Sequence, residues 1–526
     1  MTATHAVYLL GGIGLFILGM VLMTDGLKTL AGSSLRSALS RFTGGRFQSI
    51  LSGIGITAIM QSSHATLIAT IGFVSAGLLT FEQSIGIVIG SHIGTTSTGW
   101  LVSVVGLKMK ISMLSLPAIG IGAMMRLMGR ERTSNIGLVI AGFGLIFLGI
   151  DTLQSGMKDL AGSINLTTFS DSGIRSRFVL VALGIAMTIV LQSSSAALTI
   201  TLTALNAGTL SVEQSAALVV GQNVGTTLTA AIAAMGGSTA AKRTAAAHII
   251  FNCATAFCIF FVLPVFVHAL VLALGKAGVT DPTIILPAFH TAFNIAGMFI
   301  ALPMIGPFSR FIIRLIPERG PAFTRHIDSS VAAIPAVAIE AARRTVKDIT
   351  VSIIDEVSKM IEGSPEEKSR MLDSAENALS QSRLFLSKIR SDKGSTREEQ
   401  DRHVSVLHVI EHNELLIEEC RDTSHIPVLR RSEGLSFLCD ELSGRLHGIH
   451  DRLTSGAGKN SEPFAAEISQ EMKDIRKNER ESILKRTALG QLDPEEAYRQ
   501  IEAIRWLERV TYRIWRATYH IEEFEA

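Results

Sequence analysis

Two polar runs interrupt apolar sequence, Gln61-Ser62-Ser63-His64-Ala65 and Gln192-Ser193-Ser194-Ser195-Ala196. Each places an amide and adjacent hydroxyls where hydrocarbon surrounds the chain. Polar groups there need partners, because an unsatisfied one costs several kcal/mol. A hydroxyl supplies one donor and two lone pairs, and a Gln amide supplies both kinds of group. Hydroxyl and carbonyl oxygens suit a small hard cation. Hydroxyl O–H and free backbone N–H groups suit the oxygens of an anion. No Lys or Arg lies in either run, so a multiply charged anion would depend on dipoles, hydroxyls and co-bound cations.

The two runs are separated by 131 residues, and so are Glu82-Gln83-Ser84 and Glu213-Gln214-Ser215. Gly90–Thr96 (GSHIGTT) and Gly221–Thr227 (GQNVGTT) share the same offset, while Gly12–Met20 and Gly142–Ile150 match at 130. The chain therefore contains a duplication, and paired half-sites at a repeat interface are how many membrane transporters build one binding site. The elements that must position them are apolar segments of about 20 residues, the length that crosses a bilayer. These run near 6–27, 82–105, 111–129, 134–154, 212–235, 244–274 and 283–315. The stretches 47–78 and 178–209 hold the polar runs at their middles. They are long for one crossing and short for two, so each is expected to be a re-entrant hairpin with its tip near the midplane. Three crossings then separate the repeats, and the second must be inverted relative to the first. A hairpin tip exposes a half-helix N-terminus, whose dipole and N–H groups favour an anion.

Charge divides the chain as clearly as hydropathy does. Residues 1–317 carry 17 Lys/Arg and 8 Asp/Glu, and the rest carries 31 and 38. The near-zero total charge is thus the sum of a basic apolar part and an acidic, helix-patterned part. Loop Lys/Arg fall twelve to one face and six to the other, which by the positive-inside rule leaves the N-terminus outside and the acidic part in the cytoplasm. The first apolar stretch, His5–Met23, reads as a retained span. The four cysteines, Cys253, Cys258, Cys420 and Cys439, have no paired spacing that would indicate a disulfide framework or zinc site.

With these motifs the chain resembles the type II sodium–phosphate cotransporters, over about residues 5–317. The acidic part resembles the bacterial branch that ends in a PhoU-like domain, on helical pattern and charge. The resemblance implies a substrate and ion set of Gln61, Ser62, Ser63, Gln192, Ser193, Ser194, Ser195, Asn223, Thr226 and Thr227. The aligned Thr95 and Thr96 join it, as does His64, which stands where the family has a serine. His92 stands where the second repeat has Asn223 and is a candidate beside the set. The implied cargo is inorganic phosphate with sodium as coupling ion, without another cofactor. Any sodium site would fall within the same residues, and no transition-metal site is assigned.

The expected fold is all-α: a polytopic membrane protein with two inverted repeats containing re-entrant helical hairpins, plus a cytoplasmic helical-bundle domain. Its divisions are a transmembrane part at 1–317 (repeat 1 about 5–130, repeat 2 about 134–240, further spans 244–315), a linker at 318–334 and a PhoU-like part at 335–526. Six helices are expected in that last part, at 333–362, 365–391, 396–422, 429–455, 462–490 and 494–524, arranged as two three-helix bundles. The function expected is sodium-coupled phosphate transport across the cell inner membrane, regulated by the helical domain. The alternatives are a membrane-anchored phosphate sensor without net transport, a phosphate exporter, or a carrier of another oxyanion. Neither enzyme chemistry nor nucleic-acid binding is expected, and a homodimer is compatible with the pattern. His248 and His290 each open an HxxFN pattern that puts His and Asn on one helix face, read as helix cross-links. Asp25 and Asp151 read as interfacial, Glu82 and Glu213 as helix caps. Two acidic groups, Glu411, Glu414, Glu418 and Asp422, then Asp440, Glu441, His447, His450 and Asp451, read as solvated helix faces. The stretch Trp506–Trp515–Tyr519 reads as core or interface.

Overall fold

The structure, a computed structural model, describes residues 3–41, 44–108, 112–161, 173–235, 237–318, 322–324, 326–327, 335–363, 368–389, 397–455 and 461–523. All regular elements among them are helices. The chain divides into two compact units, Met1–Val74 with Leu78–Glu318, and Ser75–Gly77 with Arg319–Ala526.

In the first unit the order is α1 (Ala3–Arg41), α2 (Arg46–Met60), α3 (Ser63–Ser75) and α4 (Phe81–Trp100), the last continued by a π-helical segment, Leu101–Lys108. After α5 (Ser112–Met128) come α6 (Glu131–Ala161), α7 (Ile174–Leu191), α8 (Ser194–Asn206) and α9 (Val212–Ala234). The unit closes with α10 (Thr239–Lys276), α11 (Pro282–Ala301) and α12 (Ile305–Leu315). The expected single span at 283–315 is broken by a 3₁₀ turn at Leu302–Met304, where Pro303 removes a backbone donor.

Among the described residues, five helical stretches are long and apolar enough to cross a membrane: Val7–Leu30, Glu131–Met157, Ile174–Leu191, Thr239–Lys276 and Pro282–Leu315. The expected spans 82–105 and 212–235 are not among them, and Met113–Met128 is shorter. The reason is local. α4 and α9 carry the Ser, Thr, Gln, Asn and His of the second signature, and these polar residues are buried inside the unit rather than on an apolar surface (Ser91, His92, Thr96, Gln222 and Asn223 are all under 9% exposed).

α1 and α6, the two 130-offset helices, pack antiparallel. A Cβ added at Gly19 would lie 2.6 Å from the Gly142 carbonyl oxygen, and one at Gly149 2.8 Å from that of Gly12. Each contact maps onto the other when the repeats are exchanged. Glycine brings the backbones together here, as at other close helix crossings in membranes. α2 and α4 instead run parallel, Ile50 against Gly90 and Ile54 against Gly94, and α7 and α9 repeat this with Val181 and Ile185 against Gly221. At the start of the parallel pair, Arg46 meets Glu82 at 3.1 Å, and the equivalent Arg177 lies 3.9 Å from Glu213.

The glutamates expected to cap α4 and α9 therefore serve as ion-pair partners. The caps are Thr80 with Gln83 and Ser211 with Gln214, each a reciprocal capping box. Such a box satisfies two otherwise unpaired backbone donors.

The second unit holds α13 (Pro335–Glu362), α14 (Lys368–Ser387), α15 (Arg397–Arg421), α16 (His425–Arg431), α17 (Glu433–Thr454), α18 (Ser461–Ala488) and α19 (Pro494–Glu522). The extra helix is α16, which contains Pro427. It falls in the first turn, where a missing N–H costs nothing. α13 packs on both α15 and α17, and α15 on α19, so helices of the two expected three-helix bundles meet in a shared interior. Trp506 is fully buried in it, donating to the Glu419 carbonyl at 2.8 Å. The linker expected at 318–334 lies largely outside the described residues.

Candidate functional site

Both polar runs break a helix at the same point. α2 ends at Met60 and Gln61 takes φ 52°, while α7 ends at Leu191 and Gln192 takes φ 49°. These are the only non-glycine residues with positive φ among the described residues. Left-handed backbone costs a side-chain-bearing residue roughly 1–2 kcal/mol. Paying that at two equivalent positions is the mark of a functional constraint. The chain then folds back: Thr57 Oγ1 donates to Thr66 Oγ1 at 2.9 Å across nine residues, a separation that a continuous helix would stretch to about 13 Å.

The first serine of each run caps the next helix. Ser62 Oγ accepts from Ala65 N and Ser193 Oγ from Ala196 N, both at 3.2 Å. The hydroxyl lone pairs expected for a ligand are thus partly committed at Ser62 and Ser193. The first backbone N–H groups of α3 and α8, at Ser63, His64, Ser194 and Ser195, have no intrahelical acceptor.

These two N-termini open onto one cavity of about 420 Å³. It is lined by Gln61, Ser62, Ser63 and His64 from the first turn, by Gln192, Ser193, Ser194 and Ser195 from the second, and by Thr226. Thr188 and Thr229 add hydroxyls, and Thr24, Asp25 and Lys28 of α1 complete its polar wall. Its polar atoms come from both repeats, so it is one compartment made of two half-sites.

Thr95, Thr96, His92, Asn223 and Thr227 are not in the cavity lining. Thr95 and Thr96 bond their own helix at the Ser91 and Ile93 carbonyls. His92 and Asn223, equivalent positions in the repeats, meet through a third residue. Asn223 Nδ2 donates to Asn252 Oδ1 at 3.0 Å, and Asn252 Nδ2 lies 2.9 Å from His92 Nε2. His248 lies beside His92, with ring centroids 4.9 Å apart and the rings tilted by 31°. The first HxxFN pattern is thus a cross-link between the repeats. The second is not: Asn294 Nδ2 bonds its own helix at His290 O, and Asn294 Oδ1 and His290 Nδ1 are buried without a partner.

Sequence reasoning missed the residues that hold the first turn. Gln61 Nε2 donates to Ala58 O at 2.5 Å and Ser97 Oγ at 2.9 Å, and Thr98 Oγ1 donates to Gln61 Oε1 at 2.9 Å. It also missed Lys28 and took Asp25 as interfacial, whereas both stand in the cavity wall, 3.5 Å apart. A signal existed for Arg46 and Arg177, which share the 131-residue offset of the glutamates they meet. None existed for Lys28, whose place depends on how α1 packs.

In the second unit the acidic groups are engaged locally. Arg383 holds Glu414, Arg430 meets Asp440 at 2.6 Å, and His425 meets Asp422 at 3.3 Å. Among the described residues no three His, Cys, Asp or Glu side chains converge as metal ligands. A ring stack does form: His520 lies 4.7 Å from His408 and 5.9 Å from His412. Burial and the neighbouring Arg513 and Arg516 lower the His412 pKa to about 4.

Apolar helices, a duplicated core and paired polar turns on one cavity define a helical membrane protein of the transport class. The chain belongs to the Na+/Pi-cotransporter family, which it matches twice, over residues 15–155 and 148–306. It is 33% identical over 308 residues to the Bacillus subtilis (strain 168) "Uncharacterized protein YqeW", covering 58% of this chain and 96% of that one. It is 28% identical over 373 residues to the Escherichia coli (strain K12) "Putative inorganic phosphate export protein YjbB", covering 69% of this chain and 67% of that one. The Salmonella typhimurium protein of the same name is 26% identical over 403 residues, covering 74% of this chain and 72% of its own. No solved structure matches the chain.

Proposed function

We propose that this chain carries inorganic phosphate across the cell inner membrane with sodium as the coupling ion. The observation that carries the reading is the single cavity shared by the Gln61 and Gln192 turns. Two helix N-termini supply N–H groups and dipole for an anion, and the surrounding hydroxyl and amide oxygens suit sodium. The family membership supports the cargo.

The repeats are read as inverted, because the equivalent helices α1 and α6 run antiparallel and exchange their contacts. The α2–α3 and α7–α8 pairs are read as re-entrant. Each is followed by a helix that starts beside its own first residue, with Arg46 against Glu82 and Arg177 near Glu213. From loop charge the N-terminus is read as outside and the second unit, read as PhoU-like and regulatory, as cytoplasmic.

Purified protein in liposomes should accumulate phosphate when an inward sodium gradient is imposed and not when potassium replaces it. Equal uptake in both would remove sodium from the reading. The relatives named for phosphate export favour a second direction. Imposing the gradient from either side tests it in the same vesicles.

A further inference from the structure

The two half-sites are equivalent in sequence position but not in chemistry. In the first, Gln61 is occupied by Ala58, Ser97 and Thr98, and the Thr57 hydroxyl by Thr66. In the second, the residue equivalent to Ser97 is Leu228 and the residue equivalent to Thr66 is Ala197. Two partners are thereby missing. The Gln192 side chain makes no hydrogen bond among the described residues. Thr188 Oγ1 is buried without a partner although Thr188, 1% exposed, lines the cavity. Native proteins rarely leave a buried hydroxyl unpaired unless a ligand or water completes it.

The same cavity is lined by a lysine. Lys28 is half-exposed, and among the described residues its one carboxylate contact is Asp25, three residues back on its own helix at 3.5 Å. Such an exposed pair is weak, and a dianion offers the ammonium twice the opposing charge of one carboxylate.

We propose that Lys28, Thr188 and Gln192 form the anion-holding half of the cavity, so that a tetrahedral oxyanion is bound by the second turn and α1 while the first turn is a preassembled support. This rests on the phosphate reading above and names the residues that would carry it. Lys28 exchanges Asp25 for the entering anion. The released carboxylate is then a hard oxygen ligand in the cavity wall, which links anion entry to cation binding, and the linkage is reciprocal.

The test is phosphate binding to the purified full-length protein, by titration calorimetry in detergent with sodium present. Lys28→Met should weaken binding about tenfold or more, the loss of one nearby charge in a partly wetted site, and Lys28→Arg should restore most of it. Thr188→Val should weaken binding several-fold. The equivalent Thr57→Val, which removes a partner only from Thr66, should leave affinity unchanged. Asp25→Asn should tighten binding at low sodium and reduce the stimulation by added sodium. Melting temperature checks that each variant is folded, and if Lys28→Met is not, Thr188→Val against Thr57→Val decides. Wild-type affinity in both Lys28→Met and Thr188→Val would overturn the assignment while leaving the phosphate reading intact. No binding of phosphate to the wild type would overturn both. A lipid headgroup presents the same oxyanion chemistry. Added anionic lipid should leave phosphate affinity unchanged, and direct competition would reassign the half-site to lipid.

Discussion

Replacing Gln61 by Ala should destabilise the first unit, whereas replacing Gln192 by Ala should not. Both residues sit in left-handed backbone at nearly the same φ, 52° and 49°, so the backbone penalty for Ala cancels between them. What differs is the side chain. Gln61 loses three hydrogen bonds, to Ala58, Ser97 and Thr98, each worth about 0.5–1.5 kcal/mol net. The cost is about 2–4 kcal/mol, moderated because Ser97 keeps its bond to the Gly94 carbonyl. Gln192 has no such bonds to lose, so Gln192→Ala should stay within about 0.5 kcal/mol of wild type. The assay is thermal unfolding in detergent followed by far-ultraviolet circular dichroism, with phosphate uptake measured on the same preparations. Gln61→Ala should melt several degrees lower, and Gln192→Ala should melt normally yet transport poorly. Equal melting temperatures for the two variants would refute the asymmetry between the turns.

Gly221→Ala should prevent correct assembly at a cost above about 3 kcal/mol, because its Cβ would lie 2.0 Å from the Val181 carbonyl oxygen; Gly275→Ala, with nothing within 4 Å, should be neutral when both are compared by size-exclusion profile. Acid should weaken the second unit. His412 has a folded pKa of about 4 against an unfolded value near 6.5, so the unfolded chain binds more protons between them. Stability is full above pH 6.5 and falls as pH drops toward 4, by about 1–2 kcal/mol after solvent screening. Denaturant unfolding followed by tryptophan fluorescence should show this slope, and His412→Leu should flatten it. An impermeant thiol reagent applied outside should label Gly275→Cys and spare Arg130→Cys, and the reverse pattern would invert the proposed orientation.

Periodicity and repetition made much of this molecule readable from sequence. The polar Gln-Ser-Ser runs could not sit inside a continuous apolar helix without partners, so a helix break at Gln61 and Gln192 followed from composition. That the glutamine itself turns left-handed did not, because non-glycine residues rarely adopt that region. The helices of the second unit were bounded well by Gly, Pro and Ser punctuation. Only α16 was missed, since a proline in a first turn looks the same in sequence as a proline between helices. The cavity wall was least legible. Lys28 lies 33 residues before the first turn and reaches the cavity through helix packing, which no local pattern encodes. The missing partners of Thr188 and Gln192 appear only when Ala197 and Leu228 are compared with Thr66 and Ser97 in three dimensions.

The seam between α1 and α6 bears on ancestry. Gly19 meets Gly142, and Gly12 meets Gly149. Since Gly12 corresponds to Gly142 and Gly19 to Gly149, this is the isologous contact a two-fold dimer makes. Two copies of a half-length chain, paired antiparallel along this helix, would make the same seam. Two identical copies would also have identical turns. In this chain the turns differ, the first having Ser97 and Thr66 where the second has Leu228 and Ala197.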